Sequence, residues 1–220
     1  MHIPLPLQFV NLLASMLLLI VFAMLGQRRI LSLINLFALQ GALLALSTFI
    51  VASSTAQYHL YYSAAMTFAL KVLFLPWLLH RLIRQLEVKW DVETLLNIPT
   101  TMLIGIALVI LAFNLAAPIS QLAEGITRGL IGIALASVLL SLLMMMTRRK
   151  AISQVVAFLS LENSLFFAAT SATQGMPLVV EFGIALDVLV ATFIFGIFFF
   201  RIRETFDSLD ITHMEKLKDD

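Results

Sequence analysis

The chain is predicted to be an all-α, polytopic membrane protein of about seven transmembrane helices, and three features carry the prediction. Of its 220 residues, 61% are hydrophobic and 12% are charged, and mean hydropathy is +1.01. A soluble domain is about 45–50% apolar and about 25% charged. Seven stretches reach the roughly 20 apolar residues needed to cross a hydrocarbon core. Lys and Arg then collect in alternate loops, as a multi-pass topology requires.

The first span is expected over 5–25. It follows MHIPLPLQFVNLL, which has no basic segment of the cleavable-signal kind, so the span is expected to be retained. Arg28 and Arg29 end it. The second covers 30–51, with Gln40 near its middle. The third covers 59–80 and contains Lys71 and Pro76. A polar segment from His80 to Thr94 separates it from the fourth, 96–116, which has no charge. The fifth, 128–147, starts beside Gly125 and Gly129, a GxxxG spacing that weakly signals close helix contact. The sixth covers 151–173 and carries Glu162 and Asn163. The seventh covers 178–200 and carries Asp187. The tail after Ile202 places Phe206, Leu209, His213 and Leu217 at loosely helical spacing. It is either a solvated terminus or a dock for a cytoplasmic partner.

The basic residues set the orientation. Arg28 and Arg29, Arg81, Arg84 and Lys89, then Arg148, Arg149 and Lys150, then Arg201, Arg203, Lys216 and Lys218 all follow odd-numbered spans. That is twelve of the fourteen; Arg128 lies on the other side and Lys71 inside a span. The positive-inside bias places the N-terminus outside and the C-terminus in the cytoplasm.

Several chemistries are excluded. With no cysteine, disulfides, thiolate nucleophiles and cysteine-held iron–sulfur clusters drop out. The four histidines, His2, His59, His80 and His213, fall at span ends or in tails, which argues against paired haem ligation. There is no phosphate-cradling loop, nucleophile–His–acid set or metal-ligand spacing. No cofactor, no metal, no nucleic-acid partner and no bond chemistry by this chain alone are expected.

An internal repeat is expected. Leu33–Thr48 aligns with Val155–Thr170, setting Gln40 on Glu162. FALKVL from Phe68 to Leu73 aligns with IALDVL from Ile184 to Leu189, setting Lys71 on Asp187. Both copies open on an arginine pair, at Arg28 and at Arg148. The organisation expected is a parallel three-helix repeat flanking a central helix. Residues 1–94 hold the first copy and a cytoplasmic loop, 95–125 the connecting helix, 126–203 the second copy, and 204–220 a cytoplasmic tail.

Chemistry is sought at Lys71, Glu162 and Asp187. A lone ion at bilayer depth costs several kcal/mol or more, so such residues pair, line a hydrated cavity or carry ions. Alternating carboxylates and a lysine can relay protons, each changing charge as its neighbour does; a static pair of Lys71 with Glu162 or Asp187 is the other reading. Pro76 removes an amide donor and frees the carbonyl of Val72, which would loosen the span beside the charge. Gln40, Asn35, Asn163, Ser164 and Thr192 could extend a polar path, or act only as packing glue.

The stretch RRKAISQVVAFLSLENSLFFAA, the stretch EFGIALDVLVATFIFGIFFFRIRETFDSLD, and ALKVLFLP around Lys71 and Pro76 resemble the hydrogenase-4 component E family over nearly the whole chain. From about Arg128 onward the chain is also similar to the K subunit of complex I, with Glu162 and Asp187 at that subunit's two acidic positions. The resemblance implies a membrane subunit of a nickel–iron hydrogenase or formate hydrogenlyase-like complex in the bacterial inner (plasma) membrane. Glu162, Asp187 and Lys71 would move protons, supported by Gln40, Pro76 and Asn163. Partners would be antiporter-like membrane subunits and a cytoplasmic hydrogenase arm, within the lipid bilayer. A scaffold with static ion pairs and an independent small ion transporter are the alternatives.

Overall fold

The computed structural model describes residues 5–55, 58–85, 92, 94–122, 127–173, 186 and 189. Contacts divide the chain into two units, Met1–Ile184 and Ala185–Asp220. Of the second, only Leu186 and Leu189 are described, both helical.

Among the described residues the first unit is built of helices, and its elements follow from near-continuous apolar runs broken at polar or basic turns. These are α1 (Leu5–Leu25), α2 (Ile30–Thr55), α3 (Tyr58–Thr67), α4 (Leu75–Gln85), α5 (Ile98–Leu122), α6 (Thr127–Thr147) and α7 (Ala151–Thr173). A π-helical segment, Phe68–Phe74, joins α3 to α4. Thr67 and Leu75 at its two ends keep right-handed helical dihedrals, so α3, the π segment and α4 form one rod.

Among the described residues, six helices are long and apolar enough to cross a membrane: Gln8–Leu25, Ile30–Ser53, Tyr61–Arg84, Ile98–Pro118, Leu130–Thr147 and Ile152–Thr170. They match the first six expected spans closely, because length and hydropathy alone define a spanning helix. The seventh expected span, 178–200, lies outside the described residues apart from Leu186 and Leu189.

Packing places α1, α2, α7 and α6 in a ring, each touching the next, with α1 against α6 and α2 against α7. The rod of α3 and α4 packs on the outer side of α2, and α5 on the α1–α6 edge. Along α5, Leu103, Ile106, Ile110 and Leu115 are exposed, as expected of a helix with one face to lipid. The core of the ring holds Leu17, Met24, Leu33, Phe37, Leu44, Leu140, Met144 and Leu159, all nearly fully buried. A Cβ on Gly132 would lie 2.8 Å from the Phe113 ring. The close α5–α6 approach is therefore made at Gly132, one turn beyond Gly129; Gly125 lies outside the described residues.

Three loops meet at one end of the unit. The Val92 amide donates to the Arg28 carbonyl at 2.7 Å, and the Leu95 amide to the Thr147 carbonyl at 2.8 Å. Thr94 and Arg148 form an isolated antiparallel bridge. The turns after α1 and α6 and the segment before α5 therefore share an end, and with them the basic residues 28–29 and 148–150. It follows that α1 and α6 run in the same sense, as do α2 and α7.

Candidate functional site

Lys71 and Glu162 form an ion pair, with Nζ 2.9 Å from Oε1 and side chains 1% and 3% exposed. Lys71 lies on the π segment and Glu162 near the middle of α7, about 17 Å from its start at 1.5 Å per residue. The Nζ also lies 5.6 Å from the centre of the Phe166 ring, one helical turn beyond Glu162, where the negative ring face attracts a cation.

The π segment accounts for how Lys71 reaches Glu162. Its wider turn shifts hydrogen bonding by one residue, and the Leu75 amide donates to the Leu70 carbonyl. Pro76 follows directly and can donate no backbone hydrogen bond. The irregularity expected beside Pro76 takes the form of a change of ladder register ahead of it, and Pro76 itself is buried. π segments of this kind frequently occur at functional sites.

α2 supplies the third wall. A Cβ on Gly41 would lie 3.0 Å from the Lys71 Cβ and 3.5 Å from its carbonyl. A Cβ there would be a tight contact, so α2 or the rod would have to give by a few tenths of an ångström. Gly41→Ala is expected to cost about 1–3 kcal/mol, the usual penalty for overpacking a tight interface. Thermal unfolding of the purified variant in detergent measures it, and an unchanged transition would show that the rod can yield there.

Beside Gly41, Gln40 is fully buried. Its Nε2 donates to the Ser160 carbonyl at 3.3 Å, and its Oε1 accepts from Asn163 Nδ2 at 3.4 Å. The Ser141 hydroxyl sits 3.1 Å from that of Ser160 and 3.4 Å from that of Ser164. Ser164 donates to the Ser160 carbonyl at 2.9 Å, and the Ser160 hydroxyl contacts the Met24 sulfur at 3.9 Å. At this depth α7 is buried all round, from Ser160 through Ser164. The result is a polar layer across the ring, with the ion pair at its α3 side. Buried atoms with no hydrogen-bond partner among the described residues include Asn163 Oδ1 and Ser63 Oγ, and also Ser153 Oγ and Arg148 Nε.

Of the residues singled out from sequence, Lys71, Glu162, Gln40, Asn163 and Ser164 converge on this layer. Asn35 does not: it is exposed on α2, so it extends no internal path. Asp187 and Thr192 lie outside the described residues. Ser141 and Ser160 went unrecognised, because a serine in an apolar helix is ordinarily packing glue.

In the sequence Arg148 stands as a topology signal and as part of the arginine pair that opens the second copy, yet it is 1% exposed. Its Nη1 donates to the Gln27 carbonyl at 3.0 Å, and its Nη2 to the carbonyls of Met24 at 2.7 Å and Leu25 at 3.1 Å. These carbonyls close α1, where helix ends leave acceptors without intrahelical donors and carry partial negative charge. Burial lowers the guanidinium from its ordinary range to about 10, still cationic at neutral pH. Gln154 in turn donates to the Arg148 carbonyl at 2.9 Å. Arg148 thus ties α1 to the α6–α7 turn.

No family model matches the chain, and no solved structure matches it. The chain is 33% identical over 194 residues to the uncharacterized protein Rv0085 of Mycobacterium tuberculosis, an alignment that covers 88% of each. The chain belongs to the family of that mycobacterial protein.

Proposed function

We propose that the protein is an integral membrane subunit of a hydrogenase-4-like respiratory complex, that it contributes to proton translocation through Lys71, Glu162 and Asp187, and that it helps anchor a cytoplasmic arm. The observation that carries the proton reading is the buried Lys71–Glu162 pair at mid-span, joined to a polar layer that crosses four helices. The assignment to a hydrogenase-4-like complex rests on the sequence resemblance around Lys71, Glu162 and Asp187.

In this reading the chain has seven spans, with the N-terminus outside and the C-terminus in the cytoplasm. Two basic turns at one end of the unit, at 28–29 and 148–150, support the orientation. The packing supports a parallel repeat: exchanging α1 with α6 and α2 with α7 leaves the ring of contacts unchanged. Gln40 and Glu162, equivalent under that exchange, lie on the two helices that meet at its centre.

A second reading, a scaffold with a static pair, is favoured by the closeness of the contact and by the way Gly41 and Phe166 hold Lys71. Glu162→Gln separates the two. Gln keeps the size and hydrogen bonding but cannot titrate. If Glu162 relays protons, the variant complex assembles and its coupled proton movement, read with a pH-sensitive dye in inverted vesicles, falls at least about tenfold, within the contribution of a positioned proton-transfer group. If the pair is static, assembly fails first. A complex that assembles and translocates normally would exclude both.

A further inference from the structure

We propose that the outer face of the π segment and α4 is a binding site for one anionic phospholipid, with its acyl chain in a groove and its headgroup on Arg81 and Arg84. The groove is a shallow, open trough of about 580 Å³ that runs from Ala69 past Leu73, Pro76 and Trp77 to His80. At 1.5 Å per residue it is about 16 Å long. That is about half of a roughly 30 Å hydrocarbon core, the depth of one leaflet.

The headgroup end is built by helical spacing. In α4, Leu75, Leu78, Leu79, Leu82 and Ile83 are buried. Trp77, Arg81 and Arg84 are exposed on the opposite stripe. The Arg81 guanidinium stacks 5.5 Å over the Trp77 ring, which holds it at the mouth of the groove. Arg84 lies one turn beyond His80. His80 uses Nδ1 to donate to the Pro76 carbonyl at 2.7 Å, which leaves Nε2 for a further partner. Neither Arg81 nor Arg84 has a carboxylate partner among the described residues. Two cations and an indole at interfacial depth, below an apolar trough one leaflet long, match a phosphate with its acyl chain. They do not match a zwitterionic headgroup, whose ammonium would meet the same cations, and a partner helix would not require the charges.

Tryptophan fluorescence tests this directly. The chain has two tryptophans, so Trp90→Phe leaves Trp77 as the reporter within the groove. The full-length chain is placed in phosphatidylcholine nanodiscs, with increasing fractions of acyl-brominated phosphatidylglycerol or acyl-brominated phosphatidylcholine as quencher. Brominated phosphatidylglycerol should quench at about thirtyfold lower mole fraction, given roughly 1 kcal/mol for each of the two basic residues near the surface. Arg81→Gln with Arg84→Gln should bring the two lipids to equality, while Arg81→Lys with Arg84→Lys should keep most of the preference. Equal quenching in the unmodified groove would mean general annular lipid and would overturn the proposal. Quenching by neither lipid would mean that protein covers the face, and would overturn it too.

Discussion

Lys71→Met is expected to destabilise the protein by about 3–5 kcal/mol, the cost of removing one partner of a buried ion pair. Met fits the unbranched volume of the lysine stem but leaves the Glu162 carboxylate facing the π segment without its cation. Because native proteins hold only about 5–15 kcal/mol in reserve, folded yield from detergent should fall sharply and the unfolding transition should drop. Lys71→Met combined with Glu162→Gln removes both charges and should recover most of the loss, since a neutral, well-packed replacement for a buried pair is often no worse than the pair. The double-mutant cycle then gives the coupling energy of the two side chains directly. A Lys71→Met protein as stable as the parent would show that Glu162 is held by other groups. A recovered but transport-inactive double variant would tie the pair to proton movement rather than to folding.

The six described spans were legible because a lipid-spanning helix is defined by length and hydropathy, and neither depends on tertiary context. The depth of Lys71, Gln40 and Glu162 was legible for the same reason: counting residues from a span end gives depth. What depth does not give is azimuth. Asn35 and Gln40 lie five residues apart on α2, and only packing decides that one is exposed and the other buried. Pro76 marked an irregular rod, but a proline alone does not distinguish a kink from a shift into π register, and the close approach of Gly41 to Lys71 joins positions 30 apart in the sequence. The serine layer was silent because Ser141 and Ser160 carry no charge to explain at that depth. Arg148 misled for the opposite reason. A basic residue just past a span has a sufficient explanation in topology, so its burial could not be inferred from position.

Arg148→Ala is expected to cost at least about 3 kcal/mol, and the neighbouring Arg149 shows why this is a structural effect. Arg149 is exposed, so Arg149→Ala removes a loop charge without removing a hydrogen bond or ion pair among the described residues and should leave the unfolding transition in place. If Arg148 acted only by biasing insertion, the two variants would behave alike. Instead, Arg148→Ala strips the donor from three carbonyls at the end of α1, and hydrogen bonds to a charged group are worth about 1.5–3 kcal/mol each. Water at the loop end can replace part of that, which is why the expected loss is nearer one strong bond or two than three. Arg148→Lys should recover about half at most, because a single ammonium cannot reproduce the planar fork that reaches Met24, Leu25 and Gln27 together. The loss should be local before it is global. Amide hydrogen exchange around Gly26 and Gln27 should accelerate in Arg148→Ala at temperatures where exchange in the α6–α7 core is unchanged. Exchange that accelerates equally at both places would mean that Arg148 supports the whole ring rather than the end of α1.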